Sequence, residues 1–147
     1  MMHGTFRAVV AVLLLGGLLT PLDTVAVASD KDAVSPQPAE VSELWTGSLY
    51  SSSYRAGVCF AADGKVRGVL HLRLSGGKVD VYHFYGHSRD GQIEVRHSSG
   101  HVFKGRLASS DAVEGMVRLK NGMKIRMEGK RTHNAPLAPA NCAPLAE

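Results

Sequence analysis

The sequence predicts an all-β fold: a small antiparallel up-and-down meander of about eight short strands, closed or strongly curled into a barrel. Three observations lead there. A phrase of apolar, any, Gly, any, apolar recurs at Trp45-Thr46-Gly47-Ser48-Leu49, Val66-Arg67-Gly68-Val69-Leu70, Phe103-Lys104-Gly105-Arg106-Leu107 and Val113-Glu114-Gly115-Met116-Val117. Period-two alternation puts each Gly and both its apolar flanks on one face, and a strand tolerates Gly where the sheet bends hard or another backbone comes close. Short Gly-containing turns separate the runs at near-regular spacing, and no segment beyond the N-terminal stretch has helical periodicity.

The N-terminal stretch is set apart from the fold. His3 and Arg7 give a weakly basic start, Ala8 to Leu19 an apolar run and Pro21 a break, and Ala26-Val27-Ala28 has the small, any, small pattern that signal peptidase accepts. Residues 1–28 are therefore expected to be a signal peptide, and the apolar run is shorter than the roughly 20 residues of a spanning helix. Residues 29–43 carry Asp30, Asp32, Glu40 and Glu43 against Lys31 alone, with Pro36 and Pro38, and are expected to be a flexible acidic leader. The barrel is expected over 44–131. Residues 132–147, with Pro136, Pro139 and Pro144, are expected to be a tail held over one end of it. Cys59 and Cys142 are the only cysteines, and in an oxidising compartment they form the expected disulfide.

Turn chemistry sets the expected register. Gly76-Gly77 as a two-residue loop pairs Leu74 with Val79, Leu72 with Val81 and Leu70 with His83. Ala62-Asp63-Gly64, Arg89-Asp90-Gly91, Ser98-Ser99-Gly100 and Lys120-Asn121-Gly122 are expected as three-residue loops with a left-handed third residue. They pair Phe60 with Val66, Tyr85 with Val95, Val95 with Phe103, and Leu119 with Met123. Pairing Leu107 with Val113 sets Gly105 against Gly115, a place for the sheet to crease. The expected inward face includes Trp45, Val58, Phe103 and Met127, and also Val79, Val81 and Tyr85. Most Lys and Arg fall on the outward phase and account for the net charge of +4. A solvated basic sheet face explains them, and an anionic envelope surface such as lipopolysaccharide is a secondary partner; nucleic acid is not favoured.

Catalytic signatures are missing. There is no Gly-x-Ser-x-Gly elbow, phosphate-cradling Gly-rich loop or CxxC, and Asp80, Glu94, Glu114 and Glu128 fall on the outward phase. The expectation is a non-enzyme without a cofactor: an exported binding module of the cell envelope, holding a small ligand or a protein partner at the barrel rim. Trp45, Tyr82, His83 and Tyr85 are its candidate ligand-binding residues, because Tyr82 to Tyr85 is the densest aromatic stretch. One alternative is a periplasmic metal protein. The expected register sets His83 opposite His97 and His97 opposite His101, a cross-strand ladder suited to Zn or Cu, with His71 or His87 as helpers. Another is an envelope assembly protein docking by an edge strand, Trp45–Tyr50 or Lys124–Gly129, if the sheet stays open. The architecture is like calycin or avidin-type barrels in strand count alone, which lends little support to any one function.

Overall fold

A computed structural model describes residues 40–138 and 142–146, so the expected signal peptide and most of the expected leader lie outside the described residues. Eight strands follow one another: β1 (Val41–Leu49), β2 (Ser52–Phe60), β3 (Lys65–Arg73), β4 (Val79–Arg89), β5 (Gln92–His97), β6 (Val102–Leu107), β7 (Ala112–Arg118) and β8 (Lys124–His133). Each pairs antiparallel with the next, and β1 pairs with β8 from Glu43 opposite His133 to Ser48 opposite Glu128. The sheet is a closed barrel. Closure removes both edges, so the two strands on which edge docking depended cover each other.

Four hairpins turn by one rule. At residues 62–64, 75–77, 98–100 and 120–122, the Gly N–H donates to the carbonyl of the last paired residue before the loop, and that residue's N–H donates across the loop. The third residue of each has positive φ, between 83° and 93°, a conformation only Gly adopts without strain. The expected pairs Phe60 with Val66, Val95 with Phe103 and Leu107 with Val113 are all present, and Gly105 faces Gly115.

Both hairpins flanking β4 differ from expectation by one residue. Ser75 joins Gly76-Gly77 in a three-residue loop, with Leu74 N–H bonded to Lys78 O at 2.8 Å. Asp90-Gly91 forms a two-residue loop with both φ values positive, 51° and 75°, so Arg89 pairs with Gln92. The two shifts compensate, leaving every other strand in phase and turning β4 over. Tyr82, Phe84 and Gly86 point inward, whereas Val79, Val81, His83, Tyr85 and His87 point outward, Tyr85 being 58% exposed. Both phases of β4 carry apolar side chains, so alternation alone could not choose between them. Packing does choose: at Gly86 a Cβ would strike the Glu94 carbonyl, so the barrel needs its glycine on the inner side here.

The recurring glycines make room for rings. Gly105 and Gly115 lie beneath Phe103, Gly68 beneath Phe84, and Gly47 and Gly129 beneath Tyr54, whose hydroxyl donates to Glu128 O at 2.8 Å. Burial, with the Glu128 charge second, pushes the Tyr54 hydroxyl pKa far up, so it remains a neutral donor. Trp45, Tyr54, Val58, Val66, Ile93, Phe103 and Val113 form the buried centre.

Two expected boundaries move. Glu43 belongs to β1 rather than to a leader, and Thr132 and His133 belong to β8 rather than to the tail. Beyond β8, short strands β9 (Leu137–Ala138) and β10 (Ala143–Pro144) pair with each other. The tail does not cap an end of the barrel. Its β10 lies on the outer wall against β2 and β3, where Gly57 leaves space for the Cys142 and Ala143 backbone and Val69 is buried. Ser42 Oγ donates to Ala135 O at 3.0 Å and Arg55 to Leu145 O at 3.1 Å. The Cys59–Cys142 disulfide, spanning 83 residues, fixes this tail. A loop of that length is worth roughly 4 kcal/mol in the chain-entropy model. Paired Cys59→Ala and Cys142→Ala substitution is therefore expected to lower unfolding free energy by about 2–5 kcal/mol in urea titration.

Candidate functional site

The two ends of the barrel differ. At one end the β2–β3, β4–β5 and β6–β7 turns meet the start of β1 and the end of β8, and there the interior is closed by a buried ion pair. Glu43 and Arg131 are 3% and 8% exposed. Arg131 Nη2 lies 2.6 Å from Glu43 Oε1 and Arg131 Nε 2.9 Å from Oε2. Trp45 donates its indole N–H to Oε2 at 2.7 Å, and Arg131 also donates to Ser109 O at 2.5 Å. His133 Nδ1 sits 3.1 Å from Glu43 Oε1, and its Nε2 faces the Ser110 carbonyl. Burial pushes the Glu43 carboxyl up, but the Arg131 and Trp45 hydrogen bonds with the Arg131 and His133 charges outweigh it and hold it below the ordinary range.

At the other end, ringed by the β1–β2, β3–β4, β5–β6 and β7–β8 turns, the interior stays open. A cavity of about 360 Å³ runs from this mouth down to Trp45. Its wall is mostly apolar, including Leu70, Leu72, Phe84, Phe103, Val117 and Ile125, with Tyr82, Arg96, His97, His101, Ser51 and Ser52 as polar groups near the lip. Tyr50, at the β1–β2 turn, also lines it, 78% exposed and at φ 53°, a left-handed conformation uncommon for an aromatic residue.

Of the candidate ligand residues, Trp45 and Tyr82 line this cavity, while His83 and Tyr85 lie on the outer wall because β4 is turned over. The same inversion removes His83 from the histidine ladder and leaves the rung of His97 with His101: Phe84 stands opposite His97, and Tyr82 opposite Leu70, where His83 was expected. Tyr82 meets His97 edge-on with ring centroids 5.3 Å apart, and His97 stacks on His101 at 6.2 Å. His71 and His87 are on the outward phase of their strands. Turn residues engage the Nδ1 atoms of the remaining pair: that of His97 accepts the Ser99 N–H at 3.2 Å and lies 2.7 Å from Ser99 Oγ, and that of His101 accepts the Lys120 N–H at 3.2 Å. Burial, then the charges of His101 and His83, lower the His97 pKa. Among the described residues, Glu40, Cys59 and Cys142 also come together, but both sulfurs are spent in the disulfide.

A wider depression of about 850 Å³ lies on the wall near His87, Glu94, Lys104, Arg106 and Glu114. Its charges neutralise one another, Lys104 with Glu94 at 2.8 Å and Arg106 with Glu114 at 2.5 Å, as on a solvated sheet face. Neither Glu43 nor Arg131 was singled out from sequence. The available signal was phase: Glu43 lies two residues before Trp45, and Arg131 two and four after Gly129 and Met127, all inward.

No protein family matches the sequence, and none of the curated proteins does. A de novo designed fluorescence-activating β-barrel is similar in structure, with 20% identity over 65% of this chain and 93% of that one and a TM-score of 0.42.

Arg131→Leu leaves Glu43 buried without its cation and is expected to cost about 3–5 kcal/mol in urea unfolding, whereas the double change Glu43→Leu with Arg131→Leu costs less. Because the Glu43 pKa is depressed on folding, its stabilisation is complete above the ordinary carboxylate value of about 4.3 and is lost as pH falls through the lower folded value. Glu43→Gln is expected to flatten the fall of the urea midpoint with pH over that acid range.

Proposed function

We propose that this protein is a non-enzymatic binding protein that takes one small apolar molecule into the open mouth of its barrel. The observation that carries the reading is the asymmetry of the interior: a buried, ion-paired closure at one end and a mostly apolar cavity of about 360 Å³ at the other. That volume falls within the roughly 300–1,000 Å³ of small-molecule sites, and an apolar wall with a few polar groups near the lip is the usual composition of such a site. Trp45 forms the floor, Phe84 and Phe103 the aromatic walls, and Tyr82, His97 and His101 the lip donors and acceptors. The disulfide is in keeping with an oxidising compartment, and with the N-terminal sequence it supports an exported protein.

The test is titration with N-phenylnaphthylamine, an uncharged probe that fluoresces in apolar surroundings. Saturable enhancement is expected, with matching quenching of Trp45, the only tryptophan. Val117→Phe and, separately, Leu72→Phe fill the cavity from different strands and are expected to weaken binding roughly tenfold, the loss of about 1.4 kcal/mol of contact. A folded protein, judged by near-ultraviolet circular dichroism, that neither brightens the probe nor loses Trp45 emission overturns the proposal.

A further inference from the structure

We infer that the ligand of this cavity is a monomeric amphiphile with an anionic head group, its apolar tail inside the barrel and its head at the mouth; the inference rests on the binding function proposed above. Around the middle of the wall, cations and carboxylates are matched, as with Lys104 and Glu94 or Arg126 and Glu128. At the mouth end of the β7–β8 hairpin they are not. Arg118 and Lys124, the last pair of the β7–β8 ladder, stand directly opposite one another on the outward face, and Lys120 follows in the turn between them. All three are exposed, and among the described residues none has a carboxylate within 4.0 Å. Like charges placed directly across a ladder cost stability, so an uncompensated pair beside an opening is better explained by an anion that visits than by folding.

Other groups at the mouth agree in sign. Arg96 lines the cavity and holds Glu94 only loosely, at 3.3 Å with its own side chain half exposed. Asp80, the carboxylate at the β3–β4 turn, is taken by Lys78 at 2.7 Å. The backbone N–H of Lys120 fixes the His101 ring, which ties the basic turn to the lip of the cavity. The His97 and His101 rings add hydrogen-bonding groups at the lip. The cavity is large enough to enclose a single short apolar tail, which favours a free amphiphile over an extended polyanion. Cationic groups at a low-dielectric mouth also raise the local concentration of an anionic ligand.

The experiment displaces N-phenylnaphthylamine from the intact, disulfide-bonded protein with laurate and with lauryl alcohol, which share a chain and differ in head-group charge. Laurate is expected to displace the probe at roughly tenfold lower concentration in low salt, the product of several exposed charge contacts. The advantage shrinks when salt is raised and falls toward parity in the triple variant Arg118→Gln, Lys120→Gln, Lys124→Gln. Equal displacement by the two compounds in low salt overturns the anionic head group and leaves apolar binding standing. A protein that never binds the probe removes both.

Discussion

The structure depends on the meeting of β1 and β8, because every other strand pair is a local hairpin and this one alone joins the two ends of the meander. An open curled sheet would present two unpaired edges and leave its inner face wet on one side. Closure requires a specific anchor, and Glu43 with Arg131, 88 residues apart and from these two strands, provides one. A buried ion pair is a poor source of net stability, since desolvation offsets most of the attraction. Its value here is in register. Two charges that must meet inside a buried barrel end penalise any slip of β1 against β8, and so do Gly47 and Gly129, because no Cβ fits beneath the Tyr54 ring.

That closure also gives the interior its polarity. Trp45 donates to the same carboxylate, so the ring is fixed as a floor, with ion pair beneath and cavity above. Glycine works with the large rings in a complementary way. Where Phe103 covers Gly105 and Gly115, or Tyr54 covers Gly47 and Gly129, an aromatic side chain can lie flat along the inner wall instead of reaching across the axis. Rings held flat against the wall leave the space from which the binding function is argued.

The outer surface divides as clearly. The tail covers one side of the wall, over Gly57 and Val69, and the disulfide keeps it there. On β4 the outward Val79, Val81 and Tyr85 remain exposed, a consequence of a strand with two apolar faces and only one interior to fill. Around β5 to β8 charges alternate in sign through the middle of the wall and become uniformly basic only near the mouth.

Much of this was legible in the residues. The period-two pattern, the glycine phrase and the third-position turn glycines determined an eight-strand antiparallel meander, the pairing of most hairpins, the Gly105–Gly115 crease and the cysteine pair, because each is a local rule or follows from a lone pair of thiols. The candidate site was only half legible: Trp45 and Tyr82 line the cavity, while His83 and Tyr85 were placed on the wrong face. Asp90-Gly91 serves equally as a two-residue loop or as the end of a three-residue one, and β4 has apolar side chains on both phases, so only packing, with Gly86 against the Glu94 and Val95 backbone, could orient it. The Glu43–Arg131 contact, the closed seam and the tail on the outer wall were likewise decided by tertiary structure, since each joins residues distant in sequence whose local patterns do not refer to one another.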